Sequence, residues 1–349
     1  MKHKKIKSIL AIVLLLTVFL TACGKSPATS SNGDDNNNPT NGTETSDSYP
    51  MTIKHAFGET VIEKEPTRIA TISWGNQDVP LALGIVPVGV SEANYGVIDG
   101  SSLLPWTLEK FKELGADPVL FRDTDGLDYE AISDAQPDII LAAYSGITQE
   151  EYELLSKIAP VVAYPTLPWQ TFWRDQIVMN ATGMGMEAEG KELVKELESL
   201  ITDKISEYPE IEGKTAAFFY FNPADLGKFY IYLPSDPRAA YLTDLGMMLP
   251  DSIAALAKES DSFALELSAE NVDLIEDIDI IITYGNDTLL EAMQANPLVG
   301  MIPAVKRGSV AIIEDGTPLA AAGTPSALSI PATIDEYLTI IGEAAEKVE

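Results

Sequence analysis

Asp138-Ile139-Ile140-Leu141-Ala142-Ala143 is an apolar run with no alternation of polar residues, the pattern of a strand covered on both faces. Helix-forming residues follow from Thr148 to Ile158, and a second apolar run, Val161-Val162-Ala163-Tyr164, comes next. Strand, helix, strand in that order requires a parallel pair joined by a helical crossover. The same rhythm lies upstream. Arg68 to Ser73 reads as a strand after Pro66, a helical stretch closes at Gly84, and Pro87 to Val90 reads as the next strand. It returns downstream, with strands predicted at Lys214–Tyr220, Asp279–Thr283 and Ser309–Ile313. There Asp236-Pro237 opens a helix as N-cap and N1 and Gly246 stops it, while Thr324-Pro325 opens a C-terminal helix. Between the two halves, 175–206 is rich in Ala, Glu, Lys, Leu and Met and is expected to be one long helix, although Gly183 and Gly185 interrupt it. The simplest arrangement is two α/β halves joined by that helix.

The start of the chain has a different character. Lys2, Lys4, Lys5 and Lys7 precede the apolar run Ile9–Leu20, which is short for a membrane span. Leu20-Thr21-Ala22-Cys23-Gly24 resembles a bacterial lipobox, in which cleavage leaves the cysteine as the lipid-carrying first residue. Residues 1–22 are thus expected to be a lipoprotein signal peptide, with Cys23 lipidated and the protein anchored to the extracytoplasmic face of the cell membrane. Residues 23–48 are Ser, Thr, Asn, Gly and Asp with almost nothing apolar, the composition of a spacer that cannot bury a core. The expected domains are then a first lobe at 49–174, the linking helix at 175–206 and a second lobe at 207–349.

Composition narrows the chemistry. Cys23 is the only cysteine, so no disulfide can brace the exported domain. The two histidines are His3, in the signal, and His55, which leaves nothing for a multi-histidine zinc site and little for a Ser-His-Asp triad. The formal charge of −30 becomes more negative still without the signal lysines. Such acidity opposes nucleic acid as a partner and favours neutral or cationic ligands. Gly183-Met184-Gly185-Met186-Glu187-Ala188 fits a dinucleotide fingerprint, but no strand precedes it; a tight turn or close helix packing is expected there. Asp123, Asp125 and Asp128 form a tight acidic cluster around Gly126, whose spacing does not match an EF-hand.

The two halves echo one another. Asp128-Tyr129-Glu130 is followed eight residues after the glutamate by Asp138-Ile139-Ile140, and Ser268-Ala269-Glu270 nine residues on by Asp279-Ile280-Ile281. Each glutamate falls in the first turn of a helix that leads into a buried strand.

Four segments, Pro66-Thr-Arg-Ile-Ala-Thr-Ile72, Leu83-Gly-Ile-Val-Pro-Val-Gly-Val90, Gln136-Pro-Asp-Ile-Ile-Leu141 and Leu155-Ser-Lys-Ile-Ala-Pro-Val-Val162, resemble the substrate-binding proteins of iron–siderophore ABC importers. The resemblance runs from about Met51 to the end. It implies an α/β fold of the class III periplasmic-binding-protein type: two parallel-sheet lobes, one rigid connecting helix and a ligand cleft between the lobes. It also implies a monomeric receptor that is not an enzyme and that hands a ferric siderophore to an ABC permease, with Glu130 and Glu270 as the docking carboxylates. Iron would arrive only inside the ligand, so neither cofactor nor protein metal site is expected. Trp-Arg in the first half and Asp-Pro-Arg in the second resemble the hydroxamate-type members. The same fold carrying haem or a corrinoid, or a secreted α/β hydrolase, are the competing readings.

A bulky chelate needs aromatic walls and fixed donors for its oxygens, a role that suits arginine. Large aromatics near expected strand ends are therefore the candidate ligand residues: Trp74, Tyr95, Trp106, Tyr144 with Ser145, Trp169 and Trp173 in the first half, and Tyr220, Tyr232 and Tyr284 in the second. Arg174 and Arg238 are the candidate cations.

Overall fold

A computed structural model describes residues 49–98, 100–123 and 125–348. The signal segment, the spacer and Cys23 lie outside the described residues. No described helix is long and apolar enough to cross a membrane.

The fold begins with a two-stranded antiparallel hairpin, β1 (Met51–His55) and β2 (Gly58–Ile62). The apolar runs of the first half then form β3 (Ile69–Thr71), β4 (Gly89–Ser91), β5 (Leu120–Phe121), β6 (Ile139–Ala142) and β7 (Val161–Ala163). They make one parallel sheet in the order β5-β4-β3-β6-β7. All four residues of β6 are buried, as an unbroken apolar run between two helical layers requires. The crossover helix Gln149–Leu155 starts at a capping box in which Thr148 and Glu151 satisfy each other's backbone N–H groups. Strand order reverses between β3 and β6, and that is where an open sheet of this kind leaves a crevice.

The expected single helix over 175–206 is corrected to two, Trp173–Gly183 and Glu187–Ile205. The break is a Schellman turn: the N–H of Gly185 bonds Thr182 O, that of Met186 bonds Ala181 O, and Gly185 has φ +75°. The first helix belongs to the first lobe. A Cβ on Gly183 would lie 2.7 Å from Val162, so only glycine lets this helix sit so close to β6 and β7. The second helix, about 28 Å long at 1.5 Å per residue, folds back along the first; a Cβ on Gly190 would lie 2.4 Å from the Ala181 Cβ. It alone is the long connector.

The second lobe holds β8 (Ala216–Asn222), β9 (Asp225–Tyr232), β10 (Ala264–Ser268), β11 (Ile280–Gly285) and β12 (Val310–Glu314), in the order β10-β9-β8-β11-β12. β8, β11 and β12 are parallel as expected. β9 runs antiparallel to both β8 and β10, so this sheet is mixed rather than wholly parallel. β8 shows the period of two that a sheet imposes: Ala216 and Phe218 face the core shared with the first lobe, while Ala217, Phe219 and Phe221 face a separate core. The C-terminal helix begins at Ser329, four residues after Pro325, and buries Ile330, Ile334, Tyr337, Leu338 and Ile341 along one stripe. One apolar cluster runs from Ile139 and Leu141 through Ile177, Leu197 and Ile201 to Phe218, Ile282 and Ile334. The lobes therefore share a continuous core behind the crevice.

Candidate ligand cleft between the lobes

The crevice is a cleft of about 650 Å³ lined from both lobes, inside the roughly 300–1,000 Å³ of small-molecule sites. Its first wall is built from residues just past strand ends: Ser73 and Trp74 after β3, Glu92, Asn94 and Tyr95 after β4, Asp123 after β5, Tyr144 after β6, and Trp169 beyond β7. Buried Asn76 fixes the two loops at the strand-order reversal. Its Nδ2 donates to Ile72 O and Tyr144 O, and its Oδ1 accepts the Tyr144 N–H and the Asn180 side-chain amide. Ser73 and Trp169 have φ of 64° and 60°, a left-handed geometry that costs a non-glycine residue roughly 1–2 kcal/mol. Trp169 is held there by a bond from its N–H to Ser145 O, by an edge contact with Tyr144 at 5.3 Å, and by the bare face of Gly146. A Cβ on Gly146 would lie 2.2 Å from the indole nitrogen. Strain placed at two wall residues marks this as a built surface.

The second wall is Tyr220, Tyr232 and Tyr284, with Phe263 just before β10, Asp315 just after β12, and Arg238 in the first turn of the helix Pro237–Asp244. Arg238 lies over the Tyr232 ring at 3.9 Å. Asp236, wholly buried, accepts its Nε at 2.8 Å and its Nη2 at 2.6 Å. Burial opposes the charge on Arg238, but the Asp236 partnership outweighs it and holds the guanidinium firmly protonated. Burial keeps the Tyr144, Tyr232 and Tyr284 hydroxyls neutral, their acidity pushed well below that of free phenols.

Arg238 is the one cation lining the cleft among the described residues, and Glu92, Asp123, Glu151 and Asp315 line it too. Asp123 accepts the Ser91 hydroxyl at 2.5 Å, and burial raises its carboxyl above the ordinary range. The interior is thus aromatic, supplied with hydroxyl and guanidinium donors, and acidic in net charge. No group of three or more His, Cys, Asp or Glu stands together as a metal site among the described residues.

Eight of the twelve sequence-picked candidates line this cleft: Trp74, Tyr95, Tyr144, Trp169, Tyr220, Tyr232, Arg238 and Tyr284. Four do not. Trp106 is buried and donates its indole N–H to Asp78. Ser145 is buried with its hydroxyl on Ala142 O. Trp173 is buried with its indole N–H on Asp244 at 2.8 Å. Arg174 lies over the Trp173 ring and pairs with Glu198 and Asp244, bracing the connecting helices to the second lobe instead of facing a ligand. The cleft carboxylates, Asn94, Phe263 and Thr324 were missed. Glu92, Asp123 and Asp315 sit within two residues of strand ends, the same signal that marks the aromatic lining.

Glu130 and Glu270 are exposed and occupy the same position, second in the first turn of Tyr129–Asp134 and of the 3₁₀ helix Ala269–Ile275. Asp128 and Ser268 cap those turns through their side chains.

The family model described as "Periplasmic binding protein" matches residues 69–316, from the start of β3 to just past β12. Streptococcus pneumoniae TIGR4 PiaA, solved in complex with ferrichrome, is 54% identical, with a TM-score of 0.83 over 85% of this chain and 99% of that one. From Bacillus subtilis (strain 168), the "Probable siderophore-binding lipoprotein YfiY" is 26% identical over 96% of this chain and 98% of its own. The "Fe(3+)-citrate-binding protein YfmC" of the same strain is 26% identical over 88% of each. With both five-stranded sheets and the cleft between them inside the matched region, the chain belongs to the periplasmic binding protein family, among the substrate-binding proteins of iron–siderophore ABC importers.

Proposed function

We propose that this protein is an extracytoplasmic, lipid-anchored receptor that captures a ferric siderophore of the hydroxamate type and delivers it to an ABC permease. The observation that carries the ligand class is the charge of the cleft. Among the described residues its one cation, Arg238, is already paired with Asp236, while Glu92, Asp123 and Asp315 line the same cleft. A trianionic catecholate complex or a ferric citrate would meet net repulsion there, whereas a neutral or cationic ferric hydroxamate would not. Trp74, Trp169 and the tyrosines supply apolar walls for the organic shell, and Arg238 and the tyrosine hydroxyls supply donors for the chelate oxygens. The ferrichrome bound to PiaA, a relative of 54% identity, supports the hydroxamate class. The lipobox at Cys23 and the lipoprotein name of YfiY support the anchor. Glu130 and Glu270, exposed at matched positions on the two lobes, are the proposed permease contacts.

Native mass spectrometry of the purified full-length chain tests this reading. One chain should retain one ferric trihydroxamate and none of the iron-free form. Retention of neither, or of both equally, would contradict it; a dimer would contradict the monomeric receptor.

A further inference from the structure

Arg238 is clamped by the cap of its own helix. Asp236 closes the Nε and Nη2 edge of the guanidinium and takes the Arg238 backbone N–H on Oδ1 at 2.8 Å. Nη1 makes no hydrogen bond among the described residues, which leaves one face of the fork for a ligand. Asp236 itself is fully buried, does not line the cleft and so cannot touch a bound chelate. Its hydrogen bonds reach the cleft through Arg238: it orients the fork and cancels its charge.

We propose that Asp236 is the positioning residue that sets the charge selectivity of the cleft. By neutralising Arg238 while fixing its geometry, it leaves a strong directional donor without a net positive charge. Neutral chelates gain the hydrogen bonds; polyanionic chelates gain no compensating attraction against Glu92, Asp123 and Asp315. The two properties are separable in principle, because a neutral acceptor at 236 would still cap the helix but would release the charge. This inference rests on the siderophore-receptor reading above.

The test uses Asp236→Asn and Asp236→Ser in the full-length chain, since Asn and Ser cap helices about as well as Asp. Dissociation constants are measured for a neutral ferric trihydroxamate and a trianionic ferric tris-catecholate. Wild type should prefer the neutral chelate, and both variants should shift the ratio of the two constants toward the catecholate by about tenfold or more. A ratio that stays put overturns the inference, whether both affinities hold or both weaken together as loss of a purely structural cap would cause. A wild type that binds both chelates equally well also overturns it while leaving the receptor reading standing. A wild type that binds neither removes the receptor reading and this inference with it.

Discussion

Tyr95 on the first lobe donates a 2.5 Å hydrogen bond to Asp315 on the second and accepts the N–H of Gly316 at 3.1 Å. The contact joins the two lobes at the wall of the cleft, where Tyr95 also packs against the shared core. With burial and the neighbouring carboxylate both disfavouring ionisation, the phenol remains a donor. Tyr95→Phe keeps the ring and removes this tie. Ligand dissociation should become several-fold faster, as expected for loss of a hydrogen bond worth about 1 kcal/mol; stopped-flow release of a ferric chelate measures it. An unchanged rate would mean the tie has no part in retention.

Arg174→Ala should affect stability and not affinity. The Arg174, Asp244, Glu198 and Trp173 network joins the first lobe, the connector and the second lobe away from the cleft. Arg174 and Glu198 are partly open to solvent, so the loss should be about 1 kcal/mol. Denaturant unfolding should register this, with the dissociation constant for the ligand unchanged within about twofold.

Asp78 should give the fold a pH dependence whose sign follows from its burial. It is buried between Trp106, Thr107 and Ser326, and burial drives its carboxyl up to about 6 despite the hydrogen bonds it accepts. A folded value above the unfolded one means that the native state holds the extra proton between about pH 4 and 6. Its contribution is therefore fully present below pH 4 and is lost as pH rises through 6. The stability of wild type minus that of Asp78→Asn should fall by about 2–3 kcal/mol from pH 4 to pH 7. Urea unfolding at both pH values measures it, and a flat difference would place the carboxyl in the ordinary range.

Glu130→Ala with Glu270→Ala should leave chelate affinity intact and abolish uptake. Both side chains are exposed and neither lines the cleft. Iron uptake by cells carrying the double variant decides it; normal uptake would remove the docking assignment.

How far the sequence revealed this protein depended on whether a residue's role is local. β6 was readable because four consecutive apolar residues between two helices have few other uses. Arg238 was readable because Asp236-Pro237 fixes a helix start at a strand-adjacent loop. Arg174 carried the same local signal beside Trp173, but the direction of its side chain is decided by Asp244, 70 residues away. The break at Gly185 was visible as a glycine, yet only the hairpin packing of Gly190 on Ala181 shows that the chain turns back there. β9 is half exposed near the edge of its sheet and pairs antiparallel, so a strand–helix–strand rhythm gave no place for it. The carboxylates of the cleft were not legible as ligand residues, because Glu92 and Asp315 are single acids in a very acidic chain and Asp123 stands out only within its acidic cluster. They turn out to carry the strongest argument about which chelate enters.

Tryptophan fluorescence tests the central claim most directly. Trp74 and Trp169 line the cleft, Trp106 is buried behind Trp74 and Tyr95, and Trp173 is buried on Asp244, so contact quenching by a ligand should come chiefly from the first two. The protein should be titrated with a neutral ferric trihydroxamate, a ferric tris-catecholate, ferric citrate, haem and cobalamin, alongside the iron-free siderophores. The account predicts submicromolar quenching by the ferric hydroxamate, much reduced in Trp74→Phe with Trp169→Phe, and much weaker responses to the anionic iron complexes. Tighter binding of the catecholate, citrate, haem or cobalamin, or silence across the panel from a folded protein, would contradict it.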